Sequence, residues 1–177
     1  MRAFGLAGWS GSGKTTLMTR LLPELTGRGV TVSTVKHAHH DFDVDQPGKD
    51  SWQHRQAGAT EVLVASDRRW ALMHELRGAV EPGLVELVQH MSPVDLLLVE
   101  GFKRHPLPKL EIWRAGQDRT PLWPHDASIL AVALDGAMPE DWQSRLRLPI
   151  LDVNAVAAIA DFILANAAPL TALDRTP

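Results

Sequence analysis

The stretch GWSGSGKT, Gly8 to Thr15, decides how the rest of the chain is read. It fits G-x-x-x-x-G-K-S/T at every fixed position, a pattern that means phosphate binding only where a strand runs into it and a helix leaves it. Both flanks qualify. RAFGLAG (Arg2 to Gly8) is a short apolar run closed by glycine, as a buried strand is. From Lys14 onward Leu17, Leu21, Leu22 and Leu25 share one helical face, and Gly27 and Gly29 supply a stop. Pro23 falls inside that helix, removes a backbone donor, and predicts a bend or an early end. Gly8, Gly11 and Gly13 let the backbone turn tightly and point successive N–H groups inward. Lys14 places positive charge on the β and γ phosphates, Thr15 offers a hydroxyl to Mg²⁺, and the helix amino terminus adds favourable partial charge.

Outward from this loop, strand and helix patterns alternate. VTVSTVK (Val30 to Lys36) is β-branched and reads as a second strand. SWQHRQAGA predicts a short helix, and EVLVASDRRWALMHE predicts a hairpin turning near Asp67. Pro82 at a first helical position opens a helix with Leu84, Leu87, Val88 and Met91 on its buried face. VDLLLVEG (Val94 to Gly101) is a near-continuous apolar strand, the type covered on both faces in a parallel sheet. KLEIWR, SILAVAL and LPILDVN predict further strands. In the last helix Val156, Ile159, Ala160, Ile163 and Leu164 form the apolar stripe, with Asn154 as its cap. The expected architecture is α/β: a three-layer P-loop NTPase-type domain with a mainly parallel sheet and an extra β-hairpin. It spans residues 1–166, and 167–177 form a frayed tail.

Length and composition limit what these motifs mean. At 177 residues the chain fits one domain with a sizeable core. A net charge of −3, with scattered basic residues, gives no global attraction to nucleic acid or to an anionic membrane. Any polyanion is therefore held locally. The absence of cysteine excludes disulfides and thiolate metal ligands. Without a signal-peptide pattern or a membrane-length apolar run, the expected location is the cytoplasm.

A nucleotide enzyme with this loop also needs a carboxylate at a neighbouring strand end to hold Mg²⁺ or its water. Glu100 closes DLLLVE and meets that need. Asp95 begins the same strand, about 17 Å away at roughly 3.3 Å per residue, too far to share the metal. The stretch KHAHHDFDVDQPGKD, Lys36 to Asp50, starts where the second strand ends. In open α/β sheets ligands gather at the carboxyl ends of strands, so this stretch faces the same edge as the glycine loop. Three readings stay open for it: a zinc site from His37, His39 and His40, a solvated surface loop, and a switch contacting nucleotide or substrate. A fourth zinc ligand at a familiar spacing is missing.

The glycine loop GWSGSGKTTL, then VKHAHHDFDVDQPGKDSWQHRQAGA, then DLLLVEGFKRHPLPKLEIWR, resemble the molybdopterin-guanine dinucleotide biosynthesis protein B (MobB) family in wording and order. The glycine loop is shared by countless proteins, whereas the His/Asp stretch ending in G-K-D and followed by E-G-F-K is far more specific. The resemblance implies a GTP-binding protein with weak GTPase activity. It implies a homodimer that assists the guanylyltransferase (MobA-like) joining GMP to molybdopterin, with molybdoenzyme chaperones as further partners. Carried onto this sequence, it puts Ser10, Gly11, Ser12, Gly13, Lys14, Thr15 and Thr16 on the phosphates and Thr15 with Glu100 on Mg²⁺. His37 and His39 then face nucleotide or pterin, and Lys103 reaches a phosphate of either ligand.

In the mechanism these residues suggest, Asp41, Asp45 or Asp50 orients water or the metal shell. Arg55 and Arg104 are the candidates for an arginine finger, and neither is assigned. Guanine choice rests mainly on the resemblance. AVALDG keeps only the acid, Asp135, of the N-K-x-D strand end that reads guanine elsewhere, with Val132 and Ala133 where Asn and Lys would stand. Two other classes compete: an ATP-dependent small-molecule kinase, disfavoured by the lack of an arginine-rich lid, and a metal-delivery GTPase chaperone. Trp70 and Leu72 of the predicted hairpin offer a dimer surface, with core packing as the ordinary alternative.

Overall fold

The computed structural model describes residues 1–38, 42–102, 105–116, 119–142 and 144–172. They fall into two compact units: Met1–His37 with Leu84–Pro177, and Ala38–Gly83.

The larger unit is built on strands β1 (Arg2–Ala7), β2 (Val32–Lys36), β5 (Leu96–Glu100), β6 (Lys109–Arg114), β7 (Ile129–Asp135) and β8 (Ile150–Asp152), ordered β2-β5-β1-β6-β7-β8 with all neighbours parallel. Helices α1 (Lys14–Gly27) and α4 (Val156–Asn166) lie on one face, where Leu17, Leu21, Leu25, Ile159 and Ile163 pack on Phe4, Leu6, Leu96, Leu98, Leu110 and Ile112. The other face carries helix α3 (Leu84–Gln89), whose Leu84 and Val88 pack on Ala3, Leu97 and Val99. Beside it lie two 3₁₀ turns, Trp123–His125 and Glu140–Trp142, over Trp113, Val132 and Leu134. These are three layers, and they explain why β5 is apolar at every position from Leu96 to Val99: successive side chains alternate between two covered faces.

Strand β6 is less regular in composition, since Lys109 and Glu111 are buried on the tryptophan face. Each has its partners. The Glu111 carboxylate accepts the backbone N–H groups of Leu122 and Trp123, both at 2.8 Å, and Lys109 Nζ donates to Asp126 Oδ2 and Ser128 Oγ, also at 2.8 Å. Burial pushes the Glu111 carboxyl above the usual range, and the two amides pull against that. The pair therefore moors the segment 120–128 to the sheet.

The smaller unit holds helix α2 (Asp50–Gln56) and the antiparallel hairpin β3 (Glu61–Ala65) and β4 (Trp70–His74), which pairs Glu61 with His74 and Ala65 with Trp70. Its centre is Arg55. The guanidinium donates to both oxygens of Asp43 at 2.9 and 2.8 Å, to Asp45 Oδ2 at 3.2 Å and to Glu75 Oε1 at 2.8 Å. Hydrogen bonds to those carboxylates, Asp43 first, hold it charged far above any working pH.

The expected elements are present, and several details change. Helix α1 does not end at Pro23 but continues to Gly27, because Leu21 and Leu25 on either side are fully buried and hold the helix to the sheet. Helix α3 starts at Leu84 rather than Pro82. Asn154 does not cap α4; Ala155 holds that position, while Asn154 Oδ1 accepts from Arg20 Nη1 at 3.2 Å. The chain after Asn166, expected to fray, continues as strand β9 (Ala168–Pro169), antiparallel to Arg2 and Ala3 of β1, and a 3₁₀ turn at Leu170–Ala172. Trp70 and Leu72 are not core residues: they are 64% and 41% exposed on one hairpin face, beside Leu63.

Candidate functional site

Parallel topology brings the carboxyl ends of six strands to one edge of the larger unit. Their last residues are Lys36, Glu100, Ala7, Arg114, Asp135 and Asp152, in sheet order. Five of the six are charged, whereas the strand interiors are mainly apolar. Such an edge, on both sides of the strand where the sheet order reverses, is the place where open α/β folds bind ligands.

Strand β1 is that reversal point, and it passes directly into the glycine-rich loop. Gly8 has φ 141°, Gly11 79° and Gly13 97°. A Cβ on Gly8 would stand 2.6 Å from both Ile112 O and Ser12 Oγ, so no larger residue fits there. Around Gly11 there is open space, and its left-handed backbone is the reason for glycine. The loop closes on itself through Ser12 N donating to Trp9 O at 3.1 Å, and α1 begins with Leu17 N donating to Gly13 O at 2.9 Å. Lys14 Nζ lies across the loop, donating to Gly8 O at 2.9 Å and Trp9 O at 2.8 Å. Ser12 Oγ is buried with no hydrogen-bond partner. Thr15 and Thr16 occupy the first turn of α1.

Glu100 is in register with Leu6 of β1 on one side and Lys36 of β2 on the other, one residue short of the point where β1 leaves the sheet. The backbone beyond it is tightly constrained. Gly101 has φ 94°, and a Cβ there would meet His37 Cβ at 2.6 Å. His37 N donates to Glu100 O at 2.8 Å, and its ring lies 4.9 Å from the ring of Phe102. Phe102 itself has φ 44°, a left-handed conformation that is uncommon without a glycine. Strained backbone of this kind clusters at functional sites.

Asp135, singled out as a reader of guanine, accepts from Arg114 Nε at 2.8 Å across the ends of β7 and β6. Arg114 is the residue that sequence reasoning missed. Its Nη2 lies 3.6 Å from where a Cβ on Gly13 would stand, so this guanidinium connects the acid to the loop. The signal was present as a strand-final cation and a strand-final acid, but only the sheet order makes them neighbours.

The remaining sequence-level assignments separate. Asp45 uses both carboxylate oxygens inside the smaller unit, Oδ1 accepting from Ser51 Oγ and Gln46 N and Oδ2 from Arg55. Asp50 is the first residue of α2. Arg55 is not placed as an arginine finger, since three carboxylates of its own unit surround it. His39, His40, Asp41, Lys103 and Arg104 lie outside the described residues. Among the described residues no group of three or more His, Asp or Glu side chains is arranged to hold a metal ion. Glu100 at the end of β5 and the Thr15 hydroxyl in the first turn of α1 are both oxygen donors. They suit Mg²⁺, which takes one or two protein oxygens and completes its shell with phosphate and water.

Comparison with known proteins agrees with this geometry. A profile of the family described as MobB, molybdopterin guanine dinucleotide synthesis protein B, matches residues 3–135. The chain is 44% identical over 161 residues to the molybdopterin-guanine dinucleotide biosynthesis adapter protein of Escherichia coli (strain K12), covering 89% of each chain. It is 42% identical over 159 residues to the protein of the same description from Haemophilus influenzae, covering 90% of this chain and 85% of that one. The crystal structure of Bacillus subtilis MobB superposes with a TM-score of 0.71 at 25% identity, over 94% of this chain and 98% of that one. The mainly parallel sheet, the separate hairpin and the sequence likeness along most of the chain all lead to one assignment: the chain belongs to the molybdopterin guanine dinucleotide synthesis protein B family.

Proposed function

We propose that this protein is a GTP-binding adapter in molybdenum cofactor maturation, assisting conversion of molybdopterin to its guanine dinucleotide form, with at most slow GTP hydrolysis. The observation that carries the nucleotide reading is the glycine-rich loop at the sheet's reversal point, with Lys14 drawn across it and Glu100 at the neighbouring strand end. The adapter role comes from the E. coli and H. influenzae relatives, which are described as adapter proteins of this biosynthesis.

In this reading the backbone N–H groups from Ser10 to Thr16 and the Lys14 ammonium bind the triphosphate, with the amino terminus of α1 behind them. Thr15 and Glu100 hold Mg²⁺, which when bound neutralises charge building on the phosphate oxygens. Lys14 exchanges its two loop carbonyls for phosphate oxygens, a charge-assisted replacement of neutral acceptors. Asp135 accepts from the guanine edge while Arg114 orients it, and His37 flanks the site from the end of β2. Slow turnover fits the commitment of Arg55 to carboxylates and the absence of an assigned general base. The protein pairs with a second copy through the exposed face of Leu63, Trp70 and Leu72, and works beside the guanylyltransferase.

Two measurements test this. Binding of fluorescent GTP and ATP analogues with Mg²⁺ should favour GTP, and Lys14→Ala should abolish both signals; unchanged affinity in that variant refutes the site. A pull-down with GTP present should recover a guanylyltransferase or a molybdoenzyme chaperone, and recovery of neither refutes the adapter role.

A further inference from the structure

At the carboxyl edge of the larger unit, the sheet order β2-β5-β1 sets three charged or ligand-binding strand ends side by side. Strand β1 leads into the loop that carries Lys14, β5 ends at Glu100, and β2 ends at Lys36. Glu100 is therefore flanked by two lysines, and only one of them belongs to the glycine-rich motif. Lys36 and Glu100 are register partners, as Glu100 and Leu6 are. Partners of a parallel pair project to the same face, here the face of Leu6 and Leu98 that α1 covers. Neighbouring strands stand about 4.8 Å apart, within the span of a lysine stem. Opposite charges so placed could pair directly. Among the described residues, however, no ion pair or hydrogen bond engages either side chain, Lys36 being exposed and Glu100 half-buried. The backbone beneath them is fixed: His37 N donates to Glu100 O at 2.8 Å, which carries the ladder one residue past Lys36. Lys36 is thus an uncommitted cation on a rigid strand end, beside the carboxylate assigned to the metal.

We propose that Lys36 is a further phosphate-positioning residue, which meets the terminal phosphate of a nucleoside triphosphate and makes the site distinguish triphosphate from diphosphate. The assignment rests on the nucleotide reading of the glycine-rich loop. In that reading the loop amides cradle the inner phosphates and Lys14 reaches the outer two. Glu100 serves the Mg²⁺ shared by β and γ oxygens, so the γ phosphate lies on its side of the loop. Lys36 is the next strand end along that edge, and a diphosphate ends short of it. One divalent ion and one lysine leave a triphosphate with excess negative charge, which a second ammonium offsets. Lysine suits that place, because a compact charge on a flexible stem follows the phosphate without a fixed bonding geometry.

The test uses the full chain with Mg²⁺, titrated calorimetrically with GDP and with a GTP analogue whose β–γ bridge resists hydrolysis. Lys36→Met keeps the stem and removes the charge. It should weaken the triphosphate by about tenfold or more and leave GDP within about twofold, and Lys36→Arg should recover most of the loss. Urea unfolding should find Lys36→Met as stable as the wild type, since the residue is exposed. Wild-type affinity of Lys36→Met for the triphosphate overturns the proposal. An equal loss for both nucleotides also overturns it, assigning Lys36 to the general field of the site, and so does an altered Mg²⁺ requirement shared by both, assigning it to balancing Glu100. A wild type that binds neither nucleotide sinks the nucleotide reading itself, and Lys36 with it, an outcome distinct from a wild type that binds both and a variant that matches it.

Discussion

Replacing Gly101 by alanine should damage the protein through two separable costs. The first is backbone strain: φ is 94°, a region in which a Cβ costs roughly 1–2 kcal/mol. The second is overlap: the new Cβ would lie 2.6 Å from His37 Cβ, about 1 Å inside ordinary carbon contact. Overpacking of that kind costs typically about 1–3 kcal/mol, and the neighbour cannot rotate away because Cβ is fixed to the backbone. The His37 backbone is itself tied, its N–H donating to Glu100 O at 2.8 Å. The sum is about 2–5 kcal/mol, most of the stability of a typical domain at its upper end.

The second substitution that separates the costs is His37→Gly, which removes the atom struck. In that background Gly101→Ala should cost mainly the strain, about 1–2 kcal/mol, since only the milder approaches to the backbone O and Cα of residue 37, at 3.3 and 3.4 Å, remain, so the double-mutant cycle should return a favourable coupling of about 1–3 kcal/mol. Urea unfolding of the wild type, both single variants and the double variant, followed by circular dichroism and tryptophan fluorescence, measures the cycle. Additivity within about 0.5 kcal/mol would refute the claim that His37 is the reason glycine stands at 101.

Glu111→Gln should flatten the pH dependence of stability: burial raises the wild-type carboxyl in the fold, so wild-type stability declines as pH climbs from the unfolded value through the raised one, a loss the amide cannot show in a urea series. Asp43 is opposite in sign. The Asp45 amide and Arg55 hold its pKa low, so its contribution is present above the ordinary aspartate range and lost as pH falls through the lowered value; hydrogen-exchange protection factors in β3 and β4, corrected for the slower intrinsic exchange in acid, should fall on acidification, and unchanged protection would contradict this. Asp135→Asn should weaken GTP by roughly tenfold or more while sparing ATP, if its carboxylate meets the guanine edge, and an equal loss for both nucleotides would assign Asp135 to holding Arg114 alone. Arg55→Met should loosen the hairpin and leave Lys14-dependent nucleotide binding intact, and loss of that binding with a rigid hairpin would reverse the present assignment of Arg55.

What was legible in the sequence followed from local rules. The glycine loop, its strand and helix, the apolar run Leu96–Val99 and the hairpin each carry their pattern within a dozen or so residues. What was hidden depended on strands distant in sequence. Arg114 and Asp135 meet because β6 and β7 are neighbours, and Gly101 is needed because His37 crosses it from β2. KLEIWR is legible as a strand, but nothing within it shows that its lysine and glutamate are buried; they are, because backbone amides and Asp126 from the segment beyond the strand supply their partners. At Pro23 local propensity predicts a bend or an early end, and the early end does not occur because two buried leucines hold the helix through to Gly27.

The acids show most clearly how geometry redistributes a list of residue types. In the sequence Glu100 stands out by closing a strand, whereas Asp45 and Asp50 are carboxylates of one loop with no order between them. Asp45 spends both oxygens on Ser51, Gln46 and Arg55, and Asp43 is bound to the same guanidinium, so these two aspartates of the His/Asp stretch help build the frame of the smaller unit. Glu100 is different in kind. It ends a fully buried strand, in register with β1 beside the departure of the glycine-rich loop, and rigid sheet hydrogen bonding on both sides fixes its backbone. A metal or water ligand must be held to a fraction of an ångström, which strands achieve better than loops. In the proposed reading the metal chemistry therefore falls to Glu100 at the sheet edge, while Asp43 and Asp45 of the His/Asp stretch shape the unit that carries Arg55.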